Sequence, residues 1–270
     1  MAEKTLSNQS IEKLFQIIEV MAERGKPMRL YDISKICDIS ASTALRILNT
    51  VVQCGYARQD PETQLYSLTF RFVKIGNQVR QSSSLNQILH PYLLEITNKL
   101  ELSSAIAVWG GEGVVYTDEA IPTNRVNMLR INHHLGHMFP ANQGAAGKLM
   151  LSQFSRQQLR QYLTEHPLQP ATPNSITSVE ELEAQLAQVR AQGYAINNEE
   201  AAFGMRCIAI PVRNSDGGII ATISVSGTVY QISSERMPMD ISIMCALSER
   251  IGRECEGLFP ASDFPAIEYK

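Results

Sequence analysis

Residues 39–68 read ISASTALRILNTVVQCGYARQDPETQLYSL, and this stretch decides the fold of the first part of the chain. Ser40 is placed to cap a helix, because its hydroxyl can accept from the free amides of the following turn. In that helix Leu45, Leu48 and Val52 form the expected buried side, while Ser42, Arg46 and Asn49 lie opposite with Thr43 and Thr50 at the margins. After Gly55, YARQDPETQLYSL alternates around Asp60-Pro61-Glu62-Thr63, the pattern of a short β-hairpin. Upstream, Ile11, Leu14, Phe15, Ile18 and Met21 predict one face of a helix that Gly25 and Pro27 stop. A second short helix is expected to bury Ile33, Ile36 and Cys37 before the polar break Asp38-Ile39-Ser40. Helix, tight turn, helix and hairpin is winged helix-turn-helix spacing. Small polar residues at the start of the third helix permit close approach to a groove, and the Arg46 fork suits phosphate or guanine. The same elements also suit a protein-docking module in which Arg46 is a solvated charge.

Composition widens the reading. The 270 residues are 44% hydrophobic and carry 24 Lys+Arg against 27 Asp+Glu, enough apolar content for about two cores and too much for disorder. Residues 1–80 hold 11 basic and 8 acidic side chains (net +3), whereas 81–270 hold 13 and 19 (net −6). A basic head on an acidic body hints at a polyanionic partner for the head. No apolar run reaches the ~18–20 residues of a membrane span, and MAEKTLSNQS lacks the apolar stretch of a secretory signal. The expectation is a soluble, cytoplasmic protein without membrane contact. Cys37, Cys54, Cys207, Cys245 and Cys255 are odd in number and form no C-x-x-C pair, which argues for reduced thiols rather than a disulfide framework or a thiolate zinc site.

Beyond the hairpin, residues 69–84 read as a linker helix with a flexible Ser82-Ser83-Ser84 stop, dividing a domain at 1–68 from one at 85–270. A helix Leu85 to Leu100 leads into strand Ala105 to Trp109, a Gly110-Gly111-Glu112-Gly113 hairpin turn and strand Val114 to Thr117. That turn lacks both G-x-x-x-x-G-K-[ST] and G-x-G-x-x-G, so no phosphate loop is expected. Strand Arg125 to Ile131, a helix from about Gln143 and a loop Pro167 to Pro173 follow. Ser178 and Glu181 predict a capping box for a helix burying Val179, Leu182, Leu186 and Val189 and stopping at Gly193. Strands Met205 to Val212 and Ile219 to Ser226 flank a turn at Asn214 to Gly218, and a last helix presents Met244, Ile251, Cys255 and Leu258. Strands paired by turns with interspersed helices predict an α+β body: an antiparallel sheet flanked by helices.

Strand alternation puts Ser224 and Ser226 on one face with Ile223 and Val225 on the other, and Cys207 with Ala209 on the adjacent strand. Two hydroxyls and a thiol there define a small polar pocket, or else core groups satisfied by the backbone. Gly144, Ala145 and Ala146 open a helix after Pro140 with little side chain in the way, leaving free amides to receive a carboxylate. His133, His134 and His137 cluster without nearby carboxylates and read as surface histidines, so neither metal nor cofactor is expected. Cys207 has no sequence-evident base, which favours a binding thiol over a catalytic one, and the chain is read as not an enzyme.

The stretch 39–76, ISASTALRILNTVVQCGYARQDPETQLYSLTFRFVKIG, resembles the winged helix-turn-helix of the IclR family of bacterial transcription regulators. The shared residues are Ser42, Thr43 and Arg46 of an S-T-x-x-R core, Gly55 at the wing entry, and Tyr66 and Leu68 at its exit. The likeness continues in PANQGAAGKLML, in ISVSG, and in GYAINNEEAAFGMRCIAIPV with its EE-x-x-x-G-x-R-C-I-A-x-P core from Glu199 to Pro211. Two positions depart from the family pattern: Ala41 stands where a basic residue is frequent, and Asn142 where His is frequent.

The resemblance implies a GAF-like effector domain and a ligand-responsive regulator, a repressor or dual regulator of a catabolic operon. Its DNA-contacting residues would be Ser40, Ser42, Thr43, Arg46 and Asn49, and its partner a double-stranded operator. It further implies a small carboxylate or keto-acid effector held by Gly144, Ala145, Asn197, Cys207, Ser224 and Ser226, in a homodimer or dimer of dimers. Relatives often carry Asp where this chain has Asn197. An amide donates as well as accepts, which would favour a carbonyl or further anionic oxygen over a ligand hydroxyl.

Overall fold

A computed structural model describes residues 8–123 and 133–264, in two compact units that meet between residues 79 and 80. In the first unit, helices α1 (Gln9–Arg24), α2 (Leu30–Ile36) and α3 (Ala41–Gln53) precede a hairpin of β1 (Ala57–Gln59) and β2 (Tyr66–Leu68). Asn8 caps α1 by accepting from Ser10 N–H at 3.0 Å, and Gly25 ends it in the left-handed region at φ +61°. The wing turn is held by one carboxylate: Asp60 Oδ1 accepts from the backbones of Glu62 (3.1 Å) and Thr63 (2.8 Å) and from the Thr63 hydroxyl (2.9 Å). Met28 and Tyr66 exchange backbone hydrogen bonds of 3.0 and 2.8 Å, adding a bridge beside the wing.

The core of this unit corrects the expected helix faces. On α1, Ile17 is fully buried with Met21, whereas Ile11 and Phe15 are 50% and 57% exposed. Apolar side chains occupy more than half the circumference of α1, so spacing alone did not choose the arc that meets α2, α3 and β2. On α2, Ile33 and Cys37 are buried and Ile36 is exposed. On α3 the buried stripe is Ala44, Ile47, Leu48 and Val51, with Leu45 turned outward at 40% exposure and Val52 only partly covered.

Helix α4 (Arg71–Ser82) runs from the first unit into the second, and α5 (Ser84–Leu100) follows after one residue. That residue, Ser83, is the N-cap of α5, its side chain accepting from Asn86 N–H, so the serine triplet is a capped junction and not a flexible stop. The second unit is built on a six-stranded antiparallel sheet in the order β5-β4-β3-β8-β7-β6. The strands are β3 (Ser103–Trp109), β4 (Val114–Ala120), β5 (Met138–Phe139), β6 (Ala195–Asn198), β7 (Met205–Arg213) and β8 (Ile219–Thr228). The remaining helices are α6 (Ala145–Leu151), α7 (Arg156–Glu165), α8 (Val179–Gln192) and α9 (Met237–Glu254).

The antiparallel sheet with flanking helices agrees with the expected α+β architecture. Leu89, Leu93 and Met244 from α5 and α9 pack with Ile106, Ile208, Ile210, Ile223 and Val225 on one face. Ala145, Ala146, Leu149 and Met150 of α6 pack with Ala107, Ala209 and Cys207 on the other. Gly147 lets α6 come close to the preceding turn, because a Cβ there would strike the Ala141 backbone. Strands β5 and β6 and helix α7 went unread in the sequence. The reciprocal capping box belongs to α7, through Ser155 and Gln158; Ser178 caps α8, but the Glu181 carboxylate reaches Thr177 N–H instead of returning to Ser178. Strand β4 extends beyond Thr117 to Ala120, and Leu258 lies past α9, exposed, where Phe259 is buried. The expected strand Arg125 to Ile131 lies outside the described residues.

Candidate functional site

Two places in the fold gather the residues singled out above. The first is the outer side of α3. Ser40 caps the helix, its Oγ accepting from Thr43 N–H at 3.2 Å and lying 2.8 Å from Thr43 Oγ1 and 3.0 Å from Ser42 Oγ. Ser42, Arg46 and Asn49 are exposed on that side, Thr43 is partly covered, and Arg46 enters no ion pair among the described residues. Because Ala44, Ile47, Leu48 and Val51 anchor the opposite side, the helix presents a fixed polar edge with a free guanidinium. Exposed Leu45 joins that edge, a residue the sequence had assigned to the core. Such an apolar group can contact a thymine methyl.

The second place is a cavity of about 360 Å³ between the sheet and the start of α6. Gly144, Ala145, Asn197, Cys207, Ser224 and Ser226 all line it, so the structure brings all six sequence-selected residues together. The register pairs Cys207 with Ser226 and Ala209 with Ser224 across β7 and β8, directing these groups away from the Ile208, Ile210, Ile223 and Val225 face. Gly144 precedes α6, whose first-turn amides have no intrahelical acceptor.

The hydrogen bonds of the cavity are incomplete. Ser226 Oγ lies 3.1 Å from Cys207 Sγ and 3.0 Å from His133 Nε2. Among the described residues Ser224 Oγ, in a residue 2% exposed, completes no hydrogen bond, although the Tyr116 hydroxyl lies close enough to feel it. Asn197 Oδ1 is taken by the Glu200 (2.8 Å) and Ala201 (3.4 Å) amides, leaving its Nδ2 as the group to offer a ligand. This side chain therefore also fixes the 197–201 turn, a role the sequence did not suggest.

Burial sets the protonation states. It pushes the Cys207 thiol up to about 11, so the sulfur is a neutral thiol at neutral pH. It likewise raises Tyr116, another lining residue, and keeps its hydroxyl protonated. His133 is pulled below the usual histidine range by burial, against the opposing pull of Glu119. At 4% exposure it corrects the expectation of a surface histidine; His134 and His137 are exposed. Its signal was weak in sequence, because a histidine in an irregular segment has no period to report its face. Among the described residues no group of three His, Cys, Asp or Glu is placed to hold a metal ion.

Beside the cavity stands Lys148, 2% exposed, with Nζ 2.7 and 2.8 Å from the two Glu200 carboxylate oxygens and 3.0 Å from Gln185. Burial draws this lysine below its ordinary range and Glu200 opposes the shift. A lone lysine in the all-buried helix AAGKLML was a readable sign of a buried partner.

Comparison with known proteins places this geometry. The IclR helix-turn-helix domain matches residues 10–61, and the bacterial transcriptional regulator IclR C-terminal domain matches residues 77–253. The chain belongs to the IclR family of bacterial transcription regulators. It is 30% identical over 235 residues to the HTH-type transcriptional regulator XynR of Escherichia coli (strain K12), covering 85% of this chain and 90% of that one. A solved transcriptional regulator from Rhodococcus sp. RHA1 is 26% identical with a TM-score of 0.72, over 92% of this chain and 98% of that one. An IclR homologue from Microbacterium hydrocarbonoxydans, complexed with 4-hydroxybenzoate, shares the fold at 18% identity and a TM-score of 0.69, over 91% and 98% of the two chains. The protein is thus a DNA-binding transcriptional regulator with an effector-binding domain, and not an enzyme. No helix among the described residues is long and apolar enough to cross a membrane.

Proposed function

We propose that this protein controls a catabolic operon, as repressor or dual regulator, in response to a small organic acid bound in the cavity of the second unit. The carrying observation is the convergence of Gly144, Ala145, Asn197, Cys207, Ser224 and Ser226 on one cavity, where the buried Ser224 hydroxyl completes no hydrogen bond among the described residues. A volume of about 360 Å³ falls at the lower end of small-molecule pockets. Among the described residues no Arg or Lys lines it, and the groups there that can hold a ligand anion are neutral donors and the α6 amides. That donor set suits a single carboxylate, with a keto or carbonyl oxygen for the remaining donors, better than a dianion. The Microbacterium relative, complexed with a small aromatic carboxylate, supports the same ligand class.

In this reading Ser40, Ser42, Thr43, Arg46 and Asn49 contact a double-stranded operator from α3. Residues 1–68 form the DNA-binding domain, 69–84 the linker and 85–270 the effector domain, in a cytoplasmic homodimer or dimer of dimers. Two copies of α3 would meet half-sites about one helical turn apart. Calorimetric titration with pyruvate, 4-hydroxybenzoate and the neutral amide of each tests the ligand class. Binding of a carboxylate but not its amide is expected; equal affinity for both would overturn the assignment.

A further inference from the structure

Asp118 and Glu119 are neighbours in β4, yet the pleat sends them to opposite faces of the sheet. The register sets Glu119 in a row with Ala105 and Ser224, the cavity side, and Asp118 in a row with Ile106 and Ile223, the side covered by α5 and α9. Glu119 Oε2 accepts from the His133 backbone N–H at 3.4 Å and lies 3.6 Å from His133 Nδ1, an atom without a hydrogen bond among the described residues. On the far side, Asp118 is shared between two side chains, while its Oδ1 also accepts from the Glu119 backbone N–H at 3.0 Å. Its Oδ2 is 2.7 Å from His90 Nδ1 on α5, and its Oδ1 is 3.5 Å from Arg80 in the last turn of α4.

We propose that His133 is a positioning residue of the cavity and that Glu119 and Asp118 relay its displacement to Arg80 on α4. This rests on the reading of the cavity as the effector site. The Ser226 hydroxyl has one donor and two acceptor sites, and Cys207 and His133 already draw on them. A ligand that engages Ser226 weakens the grip on His133 Nε2, and the freed ring can close the 3.6 Å gap to Glu119. Movement of Glu119 turns the peptide it shares with Asp118. Asp118 has one tight and one loose side-chain partner, and its Oδ1 is tied to the Glu119 amide, so turning that peptide alters how its carboxylate is divided between His90 and Arg80. Helix α4 is continuous from Ser82 back to Arg71 in the first unit, which makes it the element to carry the result.

A cycle that needs no ligand tests this. Amide hydrogen exchange across residues 71–82 is measured by mass spectrometry in full-length wild type, Ser226→Ala, Asp118→Asn and the pair, since Ser226→Ala frees His133 as an effector would. Ser226→Ala is expected to change exchange in α4 by about fivefold or more, the lower range of ordinary allosteric coupling, and Asp118→Asn to abolish that change. Glu119→Gln, which leaves the His90 bond in place, must abolish it too, guarding against a merely destabilised Asp118 variant. An unchanged α4 in Ser226→Ala, or a response surviving in either carboxamide background, overturns the relay. A cycle that fails while pyruvate still binds by calorimetry overturns the relay alone; a cycle that succeeds in a protein binding no carboxylate overturns the effector reading alone.

Discussion

Cys207 and Ser226 face each other across β7 and β8, with Sγ and Oγ 3.1 Å apart, and the only other hydrogen bond of Ser226 Oγ among the described residues runs to buried His133. A thiol so placed is neutral and screened from water, which suits a group that shapes the cavity wall better than a nucleophile.

Its environment gives a pH dependence with a definite sign. The folded thiol ionises near pH 11 and the unfolded one near its ordinary value of 9. Between those values the unfolded state sheds a proton that the native state keeps, so this thiol's contribution is constant below pH 9 and lost as pH rises toward 11. The loss is about 3 kcal/mol at most. Chemical denaturation of wild type and Cys207→Ala between pH 8 and 11 checks it; parallel pH profiles would contradict it. In native protein at pH 8, exposed Cys54 is expected to alkylate well before Cys207.

Ser224→Ala separates stability from binding. Its hydroxyl is buried and completes no hydrogen bond among the described residues, so its removal relieves a desolvation penalty and is expected to leave the melting temperature unchanged or slightly higher. Affinity for a small carboxylate is expected to fall by about 1 kcal/mol, and further with Ser226→Ala. Calorimetry and thermal unfolding on the same samples decide. Unaltered affinity in the double variant would remove these serines from the site.

Lys148 and Glu200 illustrate the cost of half a buried pair. Lys148→Met leaves a buried carboxylate without its cation and is expected to destabilise the protein by about 3–5 kcal/mol, whereas Lys148→Met with Glu200→Gln should recover part of that loss. Urea denaturation of both variants and wild type measures the difference. A single variant as stable as wild type would show the pair to be dispensable.

Gly147→Ala probes the close approach of α6 to the Ala141 backbone. Although alanine favours helices, the added methyl meets main chain that cannot swing aside, and a destabilisation of about 1–3 kcal/mol is expected. A variant of equal or greater stability in urea would indicate that this turn is free to retreat.

Much of the fold was legible because its signals are local. Ser40 and Ser178 cap the helices expected of them, Gly193 ends α8 in the left-handed region, and strand alternation correctly paired Ser224 with Ser226. Faces of helices were less legible. Ile11, Phe15, Ile36 and Leu45 fit a buried pattern but lie outside the arc that neighbouring elements cover, which depends on packing between distant segments. His133, Glu119 and the Lys148–Glu200 pair were missed for a related reason. Their partners lie 14 to 93 residues away in sequence, and no motif of spacing joins them.

The most direct measurement is fluorescence anisotropy of full-length protein on DNA from its own promoter region, across a salt series, with wild type and Arg46→Ala. Wild type is expected to prefer that DNA over a scrambled duplex and to weaken as salt rises. Arg46→Ala is expected to lose about 1–3 kcal/mol of binding while keeping its affinity for a small carboxylate. Equal DNA affinity in the two proteins, or wild-type binding without sequence preference, would contradict the assignment of the outer edge of α3 to operator recognition.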